Sequence, residues 1–138
     1  MSFRKVKGKT KNQALPVTPS TALPARSLVA FVGGTGKLVA ATAATPVDDL
    51  VGILLKEIAA TDADYADDRN VLVEIPVEKN VLYEFDTTGL LATDIGSDVD
   101  LADNVSVDRA AVVVGAVKVL KRLTATKGQG NIKFRGSF

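Results

Sequence analysis

Val71-Leu72-Val73-Glu74-Ile75-Pro76-Val77 alternates residue by residue between an apolar face and a mixed face. This period of two is typical of a half-buried β-strand, whose successive side chains point to opposite faces of a sheet. The same period returns at Val81, Tyr83 and Phe85, after Glu78-Lys79-Asn80, and predicts a second strand that forms a hairpin with the first. Residues 71–85 therefore indicate a β-protein.

Short apolar segments of the same kind continue on both sides of this stretch. Leu28–Val32 and Lys37–Ala41 flank Gly33-Gly34-Thr35-Gly36, which predicts a glycine-rich hairpin turn. Further strands are predicted at Val51–Ile58, Val105/Val107, Val112–Leu120 and Ile132/Phe134, with Gly128-Gln129-Gly130 as the last turn. The only helix-like stretch, Ala59–Asp68, is short and acidic. We predict an all-β fold, a small β-barrel or β-sandwich.

Residues 1–27 differ in composition from the rest of the chain. Five of the first eleven residues are basic, and Pro16, Pro19 and Pro24 then follow among Thr, Ser and Ala. Proline favours extended backbone, and the segment has few large apolar residues to bury. We therefore expect 1–27 to be an extended, basic, Pro-containing N-terminal arm that is mobile without a partner, and 28–138 to be a single β domain.

Composition excludes several kinds of chemistry. The 138 residues contain no Cys and no His, which rules out disulfides, thiolate nucleophiles, His-based acid–base catalysis and Cys/His metal sites. Acids cluster at Asp62, Asp64, Asp67 and Asp68 and again at Asp94, Asp98, Asp100 and Asp103. Neither cluster has the glycine and terminal Glu of a calcium loop, so solvated loop acids are favoured over a weak cation site. We expect no enzymatic activity, cofactor, metal or membrane span, and a soluble protein made in a reducing compartment.

The charges are segregated along the chain. Residues 1–47 carry seven bases and no acid, residues 48–108 carry all sixteen acids against three bases, and residues 109–138 carry seven bases. Basic side chains can contact nucleic-acid phosphates, but the arm has only Phe3 as an aromatic ring and the body is acidic. This balance is against nucleic acid and favours protein association, in which an extended arm adds a strand to a partner's sheet edge. The residues expected to contact the partner are Phe3, Arg4, Lys5, Val6, Lys7, Lys9, Lys11, Leu15 and Val17.

The overall pattern resembles the head-decoration (capsid cement) proteins of tailed bacteriophages. The matching stretches are Pro16–Ala30, Lys37–Thr45, Val51-Gly52-Ile53-Leu54, Asn70–Val77, Gly89–Asp108 and Val113-Val114-Gly115. The chain departs from that pattern in its basic first eleven residues and in the acidic Asp62–Asp68 segment.

The resemblance implies a small β-barrel-like domain, commonly a homotrimer, on the outer capsid surface. It also implies an N-terminal arm that becomes ordered on the major capsid protein, and a virion protein synthesised in the host cytoplasm. We therefore expect a decoration protein that stabilises the assembled head. Two alternatives are another virion component, such as a tail or head–tail connector protein, and a nucleic-acid-binding accessory protein that uses the basic arm.

Overall fold

The computed structural model describes residues 1–32 and 35–135, and it is an all-β structure. Its eleven strands are β1 (Phe3–Lys7), β2 (Thr10–Val17), β3 (Leu28–Phe31), β4 (Leu38–Ala40), β5 (Leu50–Leu54), β6 (Arg69–Pro76), β7 (Leu82–Asp86), β8 (Asp98–Leu101), β9 (Val107–Asp108), β10 (Val117–Thr124) and β11 (Lys127–Ile132). Two short 3-10 turns occupy Val47–Asp49 and Ala92–Asp94. The predicted all-β class is confirmed.

The strands form two sheets. Strands β2-β4-β3-β5-β6 close into a five-stranded barrel, and β1-β7-β11-β10-β8-β9 form a six-stranded sheet that curls into a half-barrel. The barrel has its own apolar interior, which includes Val17, Leu38 and Val73. A second and larger core lies between the barrel wall and the six-stranded sheet, around Phe3 and Tyr83.

Strand β5 separates the two cores, so both of its faces are apolar. Val51 and Leu54 point into the barrel, whereas Leu50 and Ile53 point into the core against the six-stranded sheet. A strand buried on both faces has a continuous apolar sequence instead of an alternating one. This explains why the segment predicted over Val51–Ile58 lacks alternation, and the structure confirms a buried strand there, shifted to Leu50–Leu54.

Residues 1–27 lie within both sheets, which differs from the expected mobile arm. Strand β1 pairs antiparallel with β7, and all eight residues of β2 pair with β6, from Thr10 opposite Pro76 to Val17 opposite Arg69. The two pairings follow one another, so residues 3–17 form one long, bent ladder with residues 69–85. Phe3 at the start of this ladder is fully buried in the larger core. The segment is extended as expected, but the chain's own strands hold it.

The connection from β2 to β3 is also held, although it contains two of the three prolines. Leu23 is 1% exposed and exchanges two backbone hydrogen bonds with Ile58, of 3.0 and 2.8 Å. The hydroxyl of the buried Ser27 donates to the Pro24 carbonyl at 2.7 Å. Because these contacts satisfy the backbone without a continuous strand, the prolines are compatible with an ordered segment. The division into an arm and a domain is therefore not visible in the folded chain.

Three turn predictions have different outcomes. Strands β3 and β4 are antiparallel, as the hairpin prediction requires, although Gly33 and Gly34 lie outside the described residues. The predicted hairpin of residues 71–85 is wrong, because β6 belongs to the barrel and β7 to the six-stranded sheet. The predicted turn at Gly128-Gln129-Gly130 is also wrong, since these residues lie inside β11. A Cβ at Gly128 would approach Phe85 Cζ to 2.7 Å, and one at Gly130 would overlap the Lys118 carbonyl.

Candidate interaction surfaces

The outer edge of β2 is the longest strand edge left without a partner strand in the described part of the chain. One side of β2 pairs with β6, whereas on the other side only Val17 pairs, with Leu38 of β4. In an antiparallel ladder every second residue turns its N–H and C=O away from the paired strand. The backbone edge of residues 10–16, called the β2 edge below, therefore offers hydrogen-bonding groups over about 20 Å.

Exposed lysines accompany this edge. The side chains of Lys7, Lys9 and Lys11 are exposed, and none of them forms an ion pair with another described residue. Lys5 is half-buried and its Nζ donates to Thr10 Oγ1 at 3.2 Å. Of the basic residues predicted to contact a partner, these three lysines are the most available.

Arg4, by contrast, is already paired within the fold. Its guanidinium lies 3.0 Å from Glu84 on the neighbouring strand β7, and Lys127 of β11 lies 3.6 Å from the same carboxylate. Burial alone would raise the pKa of Glu84, but the Arg4 hydrogen bond and the two positive charges lower it below its ordinary value. Arg4 therefore links neighbouring strands of the sheet.

The four apolar residues predicted as anchors divide into two kinds. Phe3 and Val17 are buried, at 0% and 3% exposure, and belong to the two cores of the chain itself. Leu15 is half-buried and packs against the barrel interior, while Val6 is 40% exposed. Phe3 and Val17 are therefore core residues, and their predicted role as anchors on a partner does not agree with the structure.

The first acidic cluster is neutralised locally in part. Arg69 contacts the carboxylates of Asp62 and Asp64, and Lys37 lies 2.9 Å from Asp68. The Arg69 hydrogen bond lowers the pKa of Asp64. Residues 59–68 form successive turns instead of the helix-like stretch suggested by the sequence. No group of three or more carboxylates able to hold a metal occurs among residues 1–32 and 35–135.

Two acids of the second cluster are buried, which differs from the expected solvated loop. Asp94 is 7% exposed and receives a two-pronged ion pair from Arg109, with Nε and Nη2 each at 2.8 Å, plus the Leu91 N–H at 2.8 Å. The Arg109 hydrogen bonds, followed by that of Leu91, lower the pKa of Asp94. This ion pair ties the loop containing the Ala92–Asp94 turn to the segment that follows β9.

Asp100, in β8, organises the segment between β9 and β10. Its carboxylate is 4% exposed and accepts three backbone hydrogen bonds, from Val113 at 3.0 Å, Val114 at 2.7 Å and Gly115 at 2.6 Å. Its own N–H donates to the Ala111 carbonyl at 2.9 Å. The valines at 112 and 113 consequently stand outward, 68% and 91% exposed. Sequence patterning missed this arrangement, because Asp98 and Asp100 look equivalent in an alternating strand.

A cleft of about 510 Å³ lies at the junction of the barrel and the six-stranded sheet, lined among others by Pro76, Tyr83, Lys118 and Phe134. Tyr83 is 1% exposed, and its hydroxyl, like Glu74 Oε1, lacks a hydrogen-bond partner within the described structure. Burial, and then the charge of Glu74, raises the pKa of Tyr83. The phenol therefore stays protonated at ordinary pH.

Comparison with protein-family models finds no matching family, and comparison with curated proteins finds no significant match. The described helical turns include none that is long and apolar enough to cross a membrane.

Proposed function

We propose that this protein is a capsid decoration protein of a tailed bacteriophage, which binds the outer surface of the assembled head and stabilises it. The observation that carries the proposal is the β2 edge, where unpaired backbone groups lie beside the exposed Lys9 and Lys11. The resemblance of the sequence pattern to head-decoration proteins gives the class of partner, the major capsid protein. The proposal includes a homotrimer located on the virion.

The β2 edge favours an extended, acidic segment as its partner. Strand addition supplies backbone hydrogen bonds, and alternate side chains of the added strand then decide specificity. Lys9 and Lys11 repel a second copy of the same basic edge, since like charges across neighbouring strands are unfavourable. An acidic strand of the capsid protein meets both requirements at once. This docking mode replaces the expected ordering of a mobile arm.

Stabilisation of the head follows from repetition of the contact. A trimer that engages neighbouring capsid subunits binds its second and third sites at high effective concentration, so individually weak contacts hold the subunits together. Such cross-linking of neighbouring subunits needs no titrating or metal-binding residue. It requires an exposed edge and an oligomer that presents several copies of that edge.

Binding to heads assembled without the protein tests the proposal. We expect K9E/K11E to bind such heads about tenfold or more weakly than wild type at low salt, because each exposed ion pair contributes up to about 1 kcal/mol and reversal adds repulsion. The loss should shrink as salt is raised. The matched control K56E/K121E reverses two exposed lysines elsewhere and should bind like wild type. Equal binding by both variants contradicts the role of the β2 edge.

Two further measurements separate the alternatives. The same lysines suit phosphate contacts, so the protein is also titrated with duplex DNA. Tight, salt-sensitive DNA binding without head binding favours a nucleic-acid-binding protein. Binding to isolated tails or connectors, and not to heads, favours another virion component. Deleting residues 1–27 is unsuitable as a test, because it removes two strands and the buried Phe3.

A further inference from the structure

The segment Ala110–Val114, here called the apolar tip, is an exposed apolar surface that hydrogen bonds and an ion pair anchor at its two ends. Val113 is 91% exposed and Val112 is 68% exposed, although both are large and branched. Exposed valines in a mobile loop would need no explanation, but these lie in a segment with three hydrogen bonds to one buried carboxylate. The Arg109–Asp94 ion pair restrains the segment from its other end.

A surface segment that is anchored before binding is suited to recognition of a partner. Asp100 is desolvated to satisfy the tip's N–H groups, and Gly115 adopts the left-handed φ of +67° that ends the tip. Ordering a loop opposes association when it happens during binding, whereas a loop already fixed in the free protein avoids that loss. Burying valine in a contact adds only a small loss of side-chain conformational entropy, because its side chain has few rotamers. Leu91 and Ile95, each 50% exposed, are further exposed apolar residues on the loop whose Asp94 binds Arg109.

The charges around the apolar tip indicate what covers it. The tip connects β9 to β10, which lie on opposite sides of β8, so it arches over the face of β8 that carries Asp100. The exposed Asp108 lies on the β9 side of the tip, and the exposed Lys118 lies on the β10 side. Both side chains are on the same face of the sheet as Asp100, because Asp108 is opposite Asp100 and Lys118 is opposite Asp98 in β8. The tip itself has no charged side chain. It therefore does not repel its own copy, and a rotation about the tip can bring Asp108 of one copy to Lys118 of the next.

We propose that the apolar tip is the contact between copies of this chain in a closed cyclic assembly. Uncharged tips meet near the rotation axis, and the Asp108 side of each copy faces the Lys118 side of its neighbour, the head-to-tail arrangement that closes a ring. The inference rests on the proposed function only for the threefold order of the ring. The β2 edge, with its lysines, remains available for the capsid.

Sedimentation across a concentration series tests the contact. We expect wild type to associate reversibly into a trimer, and V112S/V113S to need about tenfold more protein per valine removed for the same degree of association. L72S/V77S, which changes two exposed apolar residues on another surface, is the matched control and should associate like wild type. V113T keeps the branched shape and serves as a second variant if the double variant unfolds. A wild type that stays monomeric, or a V112S/V113S that associates normally, overturns the proposal.

Cross-linking gives an independent measurement, because the natural chain has no cysteine. Tips that meet near an axis place the introduced thiols of V113C close enough for a disulfide, which needs Cα atoms within about 7 Å. Mild oxidation should therefore convert V113C, but not L72C, into linked dimers at a concentration where wild type is associated. Absence of linked V113C under those conditions contradicts the axial contact. Normal head binding by a monomer overturns this inference and the homotrimer of the proposed function, but not the decoration role, whereas a trimer that ignores heads overturns the decoration role alone.

Discussion

Replacing Asp100 with alanine should destabilise the protein far more than removal of an ordinary acid from a sheet surface. The carboxylate accepts three N–H groups at 2.6–3.0 Å, and Gly115, one of the three donors, is buried. Hydrogen bonds to a charged group contribute about 1.5–3 kcal/mol each. The Val113 N–H can regain water, so the loss of the other two bonds dominates. The facing carboxylate of Asp108 in β9 offsets part of the loss, because like charges opposite each other are unfavourable.

The expected result for D100A is a decrease of about 3 kcal/mol in the free energy of unfolding, out of a typical 5–15 kcal/mol. Urea denaturation measures it as a lower midpoint with an unchanged slope. D100N keeps one oxygen for two of the donors and should lose about 1–2 kcal/mol. D98N is the control, since Asp98 is exposed and its pairing with Lys133 at 3.4 Å contributes at most about 1 kcal/mol. If D100A and D98N unfold at the same urea concentration, the carboxylate does not hold the tip.

Three further outcomes are expected. F3A should lower the free energy of unfolding by about 3–5 kcal/mol, because Phe3 is a fully buried core residue. G130A should lower the free energy of unfolding by about 3 kcal/mol or prevent folding, because its Cβ would overlap the Lys118 carbonyl. G36A should lower it by about 1–2 kcal/mol through backbone strain alone, because Gly36 has a φ of +66° and its Cβ would lie in open space. Because folding lowers the pKa of Asp94, its carboxylate stabilises the folded protein above the ordinary carboxyl pKa of 3.8, and this stabilisation is lost as the pH falls through the lower folded pKa. R109Q should therefore make the free energy of unfolding depend less on pH in the acid range.

Each of these outcomes is read from denaturation curves, and each has a contrary result. A stable F3A variant that has lost head binding would restore Phe3 as an anchor on a partner. Equal stability of G130A and G36A would indicate that residue 130 lies in a turn and not inside β11. For Asp94, the urea midpoint is followed from neutral pH into the acid range. Parallel curves for wild type and R109Q would mean that the ion pair does not set the acid dependence.

Sequence patterning predicts the strands whose two faces differ and misses those that depend on distant partners. The alternation of Val71–Val77 and of Val81–Phe85 indicates β6 and β7, because in a half-buried strand every second side chain is buried. Because lysines and a proline are typical of unpaired segments, the sequence predicts an arm where the structure has strands β1 and β2. Their order comes from pairing with residues 69–85, more than fifty positions away, which no local pattern reports.

The candidate surfaces were predictable to different degrees. The basic character of residues 1–11 is visible in the sequence. The sequence does not show that Arg4 forms an ion pair within the fold while Lys9 and Lys11 are exposed. The apolar tip belongs to a segment that looks like a continuous strand from Val112 to Leu120. It becomes a protruding loop because Asp100 captures its N–H groups, which is a tertiary interaction. The turn predicted at the two glycines of β11 is wrong because these glycines allow the close approach of groups that are distant in sequence.

The long ladder between residues 3–17 and 69–85 also determines when the protein can fold during its synthesis. Strand β2 waits for β6 at residues 69–76, and β1 waits for β7 at residues 82–86, which is a delay of several seconds at about 5–20 residues per second. Strand β11 lies between β7 and β10, so the six-stranded sheet is complete only after residue 132 has been synthesised. Completion of the six-stranded sheet therefore depends on non-local contacts, which form slowly.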